Sequence, residues 1–375
     1  MLLCTAIPKA APKPKFKEYL TMKNKKEEEL IGVKEIARRA NISIGTVDRV
    51  IHNRPGVAKK TRENILRIIS ELNYQPNLLA QRLASRKTLR LATLIPKSSK
   101  ETSFWNAPLL GIEQADAEIN QFGIVVDKYF YDQDSIGSFV EQTGIILQSK
   151  PDGILLAPSF IEESVSFTKT CKKLNIPYVL IDSDLPNQES LSYIGPNLYH
   201  SGYLGAHLIS YLVRPDDKVL IINISKEIDD HHHLLKKEEG FRAYFQDKGN
   251  GPDILKIDIR ETDPKWTETY LSAEFKKHDD IKVIFVTNSR VSIVANYLEK
   301  SGQEVLLIGY DYLEENLDYL KKGCIDFLIC QKPTEQAYRG VMSLYQYLAF
   351  SAMIEKVYFM PIDIITKENY SFYRN

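Results

Sequence analysis

The spacing of apolar residues changes once along the chain, and the first region has the period of α-helices. Apolar positions within residues 33–40 recur at helical spacing. Asn41, which tolerates a left-handed backbone, interrupts the pattern, and Ser43 can cap a second helix over residues 44–51. A third apolar stripe covers about residues 59–72. The pattern predicts a helix, a tight turn and two further helices that enclose a small core.

From residue 89 onward, short and continuously apolar runs alternate with amphipathic segments such as residues 108–121 and 335–349. This texture is typical of parallel strands covered by helices on both faces, which is the α/β class. Four predicted strands precede about residue 194 and five follow it, so we expect two similar lobes with a ligand cleft between them. The predicted strands are 89–96, 123–131, 152–158, 177–182, 218–224, 253–259, 282–287, 304–310 and 325–330.

Two segments flank the helical region and lack its regular pattern. Residues 1–30 are rich in Lys, Pro and Glu, and we interpret them as a disordered basic extension. Residues 76–88 begin with a proline that ends the preceding helix, and residues 78–84 can form about two further helical turns. A helix this short is marginal in water, so its folding should depend on a partner.

The formal net charge is zero, but the charges are unevenly distributed. Residues 1–90 carry 20 Lys and Arg against 8 Asp and Glu, a charge of +12, and the remaining residues carry −12. A basic segment of this kind suits a polyanion, either nucleic acid or an anionic membrane surface. The periodic apolar residues argue against a merely disordered basic tail. No apolar run approaches the ~18 residues of a membrane span, and the opening "MLLCTAI" is too short for a signal peptide, so we expect a cytoplasmic protein that does not contact membranes.

The residues that usually carry catalysis or metal binding do not form known patterns. The four cysteines are scattered without a CxxC pair and are expected to be reduced thiols. Residues 231–233 are consecutive histidines, whose side chains diverge and rarely bind one ion. The chain also lacks GxGxxG, GxxxxGK[ST], HExxH and GxSxG. We therefore predict no metal, no cofactor and no enzymatic activity.

The stretch "VKEIARRANISIGTVDRVIHNRPGVAKKTRENILRIISELNYQPNLLAQRLASRK" resembles the DNA-binding headpiece and hinge of the lactose-repressor (LacI/GalR) family. The rest is similar to that family's sugar-binding core, and the resemblance covers about residues 31–365. It implies an all-α helix-turn-helix headpiece over 31–75, a hinge helix and linker over 76–88, and two Rossmann-like parallel-sheet lobes of the periplasmic binding protein type I fold over 89–375. The lobes are expected at about 89–194 with 332–358, and at about 195–331 with 359–375.

The resemblance also implies which residues contact DNA. Residues 44–51 would be the recognition helix, in which Ile44 packs on a thymine methyl group, Gly45 offers no side chain and Arg49 binds a guanine. Thr46 would bind a phosphate. In the hinge, Leu83 would wedge into the minor groove beside the small Ala80, although Leu83 can also be a linker residue packed on the core. The full predicted set is Ser43, Ile44, Gly45, Thr46, Asp48, Arg49, Asn53, Ala80 and Leu83.

Asp48 is an unusual residue for a surface that faces phosphates, because family members usually carry Ser at this position. A carboxylate there can accept a hydrogen bond from a cytosine amino group, or it can pair with Arg49 or another headpiece base and fix its orientation. We favour the second role.

Several polar and aromatic residues at predicted strand ends match ligand-contact positions of the family. Aromatic planes stack on sugar C–H faces, and polar side chains bind sugar hydroxyls. Lys237 departs from the Arg that is common in the family, which leaves the charge of the sugar open. Each residue also has a structural interpretation as a helix cap or core residue. The predicted ligand contacts are Phe104, Trp105, Asp182, Lys237, Trp266, Asn288, Asp311 and Gln331.

These features together predict a sequence-specific transcriptional regulator. We expect a homodimer that binds a pseudo-palindromic double-stranded DNA operator, with a sugar or sugar derivative as effector in the interlobe cleft. The alternative is a sugar-binding receptor without a DNA function, which leaves the basic headpiece unexplained.

Overall fold

The computed structural model describes residues 33–51, 54–72, 74, 88–99, 102–185, 187, 189–226, 228, 232–249, 251–261 and 263–375. The chain separates into two compact units, Met1–Gln81 and Arg82–Asn375. None of the helices within these described ranges is long and apolar enough to span a membrane.

The first unit contains three short helices, as the apolar pattern predicts. They are α1 (Val33–Ala40), α2 (Ile44–Ile51) and α3 (Lys59–Glu71). Asn41 has φ 55°, in the left-handed region, and the Ser43 hydroxyl accepts a hydrogen bond of 3.2 Å from the Thr46 amide. Ile36, Val47 and Ile65, one residue from each helix, are fully buried against one another. The turn and the cap thus position α2 with one face packed and the other face in solvent.

The second unit contains two six-stranded sheets with the same strand order. Sheet 1 has the order β11-β5-β4-β3-β1-β2 and is parallel throughout. Sheet 2 has the order β12-β10-β9-β8-β6-β7 and is parallel except for the β10–β12 pair. The strands are β1 (Leu89–Pro96), β2 (Ile124–Tyr131), β3 (Gly153–Leu156), β4 (Tyr178–Ile181), β5 (Ser192–Gly195), β6 (Lys218–Ile224), β7 (Asp253–Ile259), β8 (Ile281–Val286), β9 (Leu306–Tyr310), β10 (Phe327–Cys330), β11 (Val357–Phe359) and β12 (Asp363–Ile365).

Helices cover both faces of each sheet and bury separate apolar clusters there. Sheet 1 carries α4 and α12 on one face and α5 and α6 on the other. Sheet 2 carries α9, α10 and α11 on one face and α7 and α8 on the other. The helices are α4 (Asn106–Ile119), α5 (Ile136–Ser149), α6 (Ile161–Lys173), α7 (Leu198–Ile209), α8 (His232–Lys248), α9 (Pro264–Lys277), α10 (Val291–Ser301), α11 (Glu314–Lys322) and α12 (Pro333–Phe350).

The structure contains all nine predicted strands and adds three that the sequence analysis missed. The missed strands β5, β11 and β12 have only three or four residues each. The β10–β12 pair is antiparallel, and all the other pairs of the two sheets are parallel, as expected. β11 and α12 complete lobe 1 although they follow lobe 2 in sequence, so the chain crosses between the lobes three times, after β5, β10 and β11.

Candidate functional site

One face of helix α2 is exposed and carries the residues predicted to contact DNA. Ile44 is 49% exposed although it is apolar, and Gly45 and Arg49 are also exposed. Ser43 and Thr46 share a hydroxyl–hydroxyl hydrogen bond of 3.0 Å at the start of the helix. The exposed Ile44 and the exposed Arg49 give this helix both an apolar and a cationic contact, which suits base edges in a major groove.

Asp48 forms an ion pair with a basic residue of the headpiece. Its Oδ2 lies 3.2 Å from Nη1 of Arg54, and both side chains are exposed. The Arg54 amide also donates to the carbonyl of Arg49, at 2.7 Å. Among the headpiece residues that the structure describes, the side chain of Arg49 has no ion pair. An ion pair with a basic residue of the headpiece is the contact that the orientation role predicts, and the role itself stays a prediction. Asn53, Ala80 and Leu83 lie outside the described residues.

The second unit has a cleft where the carboxyl ends of strands from the two sheets face one another. In doubly wound sheets this edge is the usual ligand site. The cleft is lined by seven of the eight predicted ligand contacts, which are Phe104, Trp105, Asp182, Lys237, Asn288, Asp311 and Gln331. The sequence analysis missed other lining residues, among them Gln133, His233 and Arg290. Gln133 and Arg290 each lie within four residues of a strand end, which is the signal that could have identified them.

Trp266 is the predicted contact that the structure does not place with the others. It lies at the start of α9, is 48% exposed and does not line the cleft. The Asp263 carboxylate caps this helix through the amide of Lys265, at 2.9 Å, and Pro264 begins it. The cap fixes the first turn of α9 with the indole in solvent, so in this conformation Trp266 is a surface residue.

The apolar wall of the cleft is a pair of buried aromatic rings. Phe104 and Trp105 pack edge to face with ring centroids 5.0 Å apart. The indole Nε1 of Trp105 donates to Oε1 of Gln133 at 3.2 Å, and the amide of Phe104 donates to the Thr102 hydroxyl at 3.2 Å. The indole of Trp105 is therefore oriented by its hydrogen bond and by the edge-to-face contact with Phe104 before a ligand binds, as a stacking surface requires.

The two carboxyl groups of the cleft stand directly after strands β4 and β9. Asp182 and Asp311 have φ values of 66° and 75°, so each strand ends in a left-handed turn. The Asp182 amide donates to Oε1 of Gln336, at 2.9 Å, and Nε2 of Gln336 donates to the carbonyl of Gln331, at 2.8 Å. Gln336 on α12 thus joins the end of a lobe 1 strand to the end of a lobe 2 strand. The side chain of Gln331 donates to Oδ1 of Asp311 at 3.2 Å.

Lys237 supplies one buried positive charge of the cleft, beside that of Arg290. It is 3% exposed, and its Nζ lies 3.7 Å from the centroid of the Tyr310 ring, a cation–π contact. Burial lowers the pKa of Lys237, and Asp311 and Asp182 act in the opposite direction. Burial raises the pKa of Asp182 to about 6 and that of Asp311 to about 7, while the nearby ammonium limits both shifts. The charge of each of the three groups therefore affects the pKa of the others in this buried site.

Some polar groups in the cleft make hydrogen bonds within the protein, whereas others make none. Nδ2 of Asn288 donates to the carbonyl of Ile224 at 2.7 Å, and its Oδ1 accepts from the amide of Arg290 at 3.2 Å. Oε1 of Gln331 is buried without a hydrogen-bond partner. Within the part of the chain that the structure describes, the Asp182 carboxylate and the Lys237 ammonium also make no hydrogen bond. The buried oxygen of Gln331, together with the two charged groups that make no hydrogen bond, indicates a site that a polar ligand completes.

Contacts between the lobes close the rim of the cleft. Lys226 of lobe 2 and Asp134 of lobe 1 form an ion pair of 2.7 Å. His232 Nε2 lies 3.2 Å from Oδ1 of Asp184. The hydroxyls of Thr102 and Ser289 lie 3.2 Å apart, and Ser103 donates to Glu315 at 3.2 Å. These rim contacts hold the two lobes in a closed arrangement.

Comparison with known proteins assigns both parts of the chain. Residues 32–77 match the family described as bacterial regulatory proteins, lacI family, and residues 92–352 match the periplasmic binding protein domain. The NTD biosynthesis operon regulator NtdR of Bacillus subtilis is 28% identical over 47% of this chain, and the match spans only 51% of that regulator. The sucrose operon repressor of Escherichia coli is 27% identical, over 76% of this chain and 85% of the repressor.

A solved structure extends the match across the second unit. The crystal structure of a protein described as a LacI transcriptional regulator, from Bacteroides fragilis, is 30% identical with a TM-score of 0.71, and covers 77% of this chain and 100% of that one. The chain therefore belongs to the LacI family of bacterial regulatory proteins, with a periplasmic binding protein domain that follows the headpiece in sequence.

Proposed function

We propose that this protein is a transcriptional regulator that binds a specific double-stranded DNA operator and is controlled by a small effector in the interlobe cleft. The observation that carries the proposal is the combination, in one chain, of an exposed recognition helix with a closed cleft that contains unsatisfied polar groups. The effector class that fits the cleft is a sugar or sugar derivative. A regulator of this kind works in the cytoplasm, where its operator is.

Helix α2 supplies the DNA contacts in this proposal. Its exposed face enters the major groove, where Ile44 packs on a thymine methyl group and Arg49 binds the edge of a guanine. Asp48 holds Arg54 against the phosphates rather than reading a base. A homodimer presents two such helices, so the operator is pseudo-palindromic. The hinge segment that contains Ala80 and Leu83 binds the minor groove between the two half-sites.

The cleft supplies effector binding through two kinds of contact. The rings of Phe104 and Trp105 stack on the C–H face of a sugar, and Asp182, Lys237 and Gln331 bind its hydroxyl groups. An effector that binds the closed arrangement more tightly than an open one shifts the population between them. In a dimer this shift changes the separation of the hinges and so the affinity for the operator, with a coupling of about 1–3 kcal/mol.

A test of the proposal measures both activities on the full chain. Thermal melting with a panel of monosaccharides tests the cleft, because a ligand that binds only the folded state raises the melting temperature. Fluorescence anisotropy with twofold-symmetric and random duplexes tests the headpiece. Specific binding should fall steeply as salt rises, since several phosphates are neutralised.

The alternative receptor function makes a different prediction for the same experiment. A sugar-binding receptor without a DNA function would melt at a higher temperature with a sugar and show no preference for any symmetric duplex. That result, or a flat salt response, would contradict the proposed regulator.

A further inference from the structure

We propose that Gln133, which lies in the turn after strand β2 and lines the cleft, is a specificity-determining residue for the effector. Its amide nitrogen donates to one hydroxyl oxygen of the bound sugar, while its amide oxygen orients Trp105. The inference rests on the proposed function and adds to it one ligand contact and the direction of one hydrogen bond.

The orientation of the Gln133 side chain follows from its partner in the wall of the cleft. The indole Nε1 of Trp105 lies 3.2 Å from Oε1 of Gln133. An indole N–H group can only donate a hydrogen bond, so the amide atom that faces it must be the oxygen. The NH2 group of Gln133 therefore points away from the indole nitrogen. Among the residues that the structure describes, Nε2 of Gln133 has no hydrogen-bond acceptor, although the side chain lines the cleft.

The turn that carries Gln133 is held by contacts on both of its sides. The Asp134 amide donates to Oδ1 of Asp132 at 2.9 Å, and the Asp132 amide donates to the hydroxyl of Ser138, on α5, at 3.0 Å. The carboxylate of Asp134 pairs with Lys226 of lobe 2 at 2.7 Å. These contacts fix the turn when the lobes are closed, so the two N–H bonds of the Gln133 amide have a defined position before a ligand binds.

The donors of the cleft are unevenly distributed between the two lobes. In the described part of the chain, the basic residues that line the cleft all belong to lobe 2, and they are His233, Lys237 and Arg290. On lobe 1 the Asp182 carboxylate, when it is ionised, can only accept. Gln133 gives the lobe 1 wall a donor beside the stacking surface of Trp105, where the hydroxyl oxygens at the edge of a stacked sugar ring lie. One sugar can therefore donate to Asp182 and accept from Gln133.

A donor at this place makes a specific demand on the ligand. A hydroxyl group both donates and accepts, a C–F group only accepts, and a C–H group does neither. Replacement of the contacted hydroxyl by fluorine therefore keeps an acceptor for Nε2 of Gln133, whereas replacement by hydrogen leaves this donor without a partner in the closed cleft. We expect the fluoro sugar to bind within about threefold of the parent sugar, and the deoxy sugar to bind about tenfold more weakly.

The decisive variant is Gln133→Glu, which keeps an oxygen for the indole of Trp105 and replaces the donor by a second acceptor. A hydroxyl group can reverse its hydrogen bond and donate to this carboxylate, but fluorine cannot. The ratio of fluoro-sugar affinity to parent-sugar affinity should therefore fall about tenfold at one ring position in Gln133→Glu and stay unchanged at the others. The general effect of the added charge on sugar binding cancels in this ratio.

Titration calorimetry of the full chain at neutral pH would first compare D-glucose, D-galactose, D-mannose and D-ribose. The sugar that binds most tightly is then compared with its monodeoxy and monodeoxyfluoro analogues. Gln148→Glu adds the same charge at an exposed position of α5, outside the cleft, and should keep every ratio of the natural sequence. An unchanged set of ratios in Gln133→Glu overturns the inference, and so does a panel in which no sugar binds.

Tryptophan fluorescence checks the amide orientation without a ligand. The chain has two tryptophans, so Trp266→Phe leaves Trp105 as the reporter. In that background Gln133→Met should shift the emission to shorter wavelength, because methionine offers the indole no oxygen, and Gln133→Glu should not. Equal emission from Gln133→Met and the natural residue overturns the orienting contact. Specific binding to a symmetric duplex is measured in parallel, so loss of the ligand inference leaves the regulator proposal separately tested.

Discussion

The crossing of helices α7 and α8 offers a sharp test of how the cleft is built. A Cβ atom added to Gly202 of α7 would lie 1.8 Å from the carbonyl oxygen of Lys237 and 2.9 Å from its Cα. A Cβ on Gly240 of α8 would lie 1.9 Å from the carbonyl oxygen of Tyr199. The two glycines therefore allow the two backbones to touch, and the touching point on α8 is the residue that carries the buried ammonium.

Gly202→Ala must separate the two helices, because the clashing atoms are backbone and have no rotamer to change. Ordinary contact begins at 3.4 Å, so the carbonyl oxygen must move by more than an ångström. Overpacking of this kind costs about 1–3 kcal/mol, and Ala in place of a helical Gly returns roughly 0.5–1 kcal/mol. Because all the clashing atoms are backbone, the upper end of the overpacking cost applies, about 3 kcal/mol, and with about 1 kcal/mol returned the free energy of unfolding should fall by about 2 kcal/mol. Effector affinity should fall as well, since Lys237 moves with α8.

Urea unfolding followed by tryptophan fluorescence measures the stability of the second unit, which contains α7 and α8. The chain has two tryptophans, Trp105 and Trp266, and both lie in the second unit. Gly144→Ala is the matched control, because its Cβ would meet nothing within 4 Å in the middle of α5. That control should be unchanged or more stable by up to about 1 kcal/mol. If Gly202→Ala matched the control, the close approach of α7 and α8 would not be a constraint on this core.

Four further changes test other parts of the molecule. Burial raises the pKa of Asp311 to about 7, above its unfolded value of about 3.9, so ionising this carboxyl costs stability above pH 7 and the cost is relieved as pH falls. This carboxyl alone should add about 2–3 kcal/mol to the stability of the ligand-free core between about pH 8 and pH 5 in urea titrations. Asp311→Asn should remove that part of the rise and leave the smaller part that comes from Asp182, whose pKa is about 6. Lys226→Met removes the rim ion pair with Asp134, so effector binding measured by calorimetry should weaken about two- to fivefold at low salt. A difference in affinity that persisted at high salt would argue that this ion pair does not stabilise the closed arrangement of the lobes. Asp48→Asn should change the free energy of unfolding by less than about 1 kcal/mol while it reduces the ratio of specific to nonspecific DNA affinity, measured by anisotropy. Leu83→Gly should weaken specific DNA binding far more than nonspecific binding, and equal losses would argue against insertion in the minor groove.

The fold followed from the sequence wherever an element was long enough to show a period. Nine continuous apolar runs became strands, and the interruption at Asn41 became a left-handed turn between two helices. Strands β5, β11 and β12 were missed because three or four residues give too little pattern. β12 also pairs antiparallel at a sheet edge, which the apolar texture of the other strands did not indicate.

The cleft was partly predictable because polar residues after parallel strands converge at one edge. That rule placed Asp182, Asp311 and Gln331 correctly at strand ends, but it could not show which of their atoms lack partners. Trp266 lies outside the cleft because the capped start of its helix fixes the direction of its side chain, and that direction depends on local backbone geometry. The sequence could not show which basic residue pairs with Asp48, because Arg54 lies six residues further along the chain, after the end of α2.

The three crossovers between the lobes have a consequence for biosynthesis. Lobe 1 is complete only when α12 and β11 have left the ribosome. Lobe 2 is complete only after β12, whose last residue is Ile365, has been synthesised. The headpiece, whose last helix ends at Glu71, can fold long before either lobe during translation. A message truncated within lobe 2 would thus encode the headpiece joined to two incomplete lobes, and such a fragment would lack a complete effector cleft.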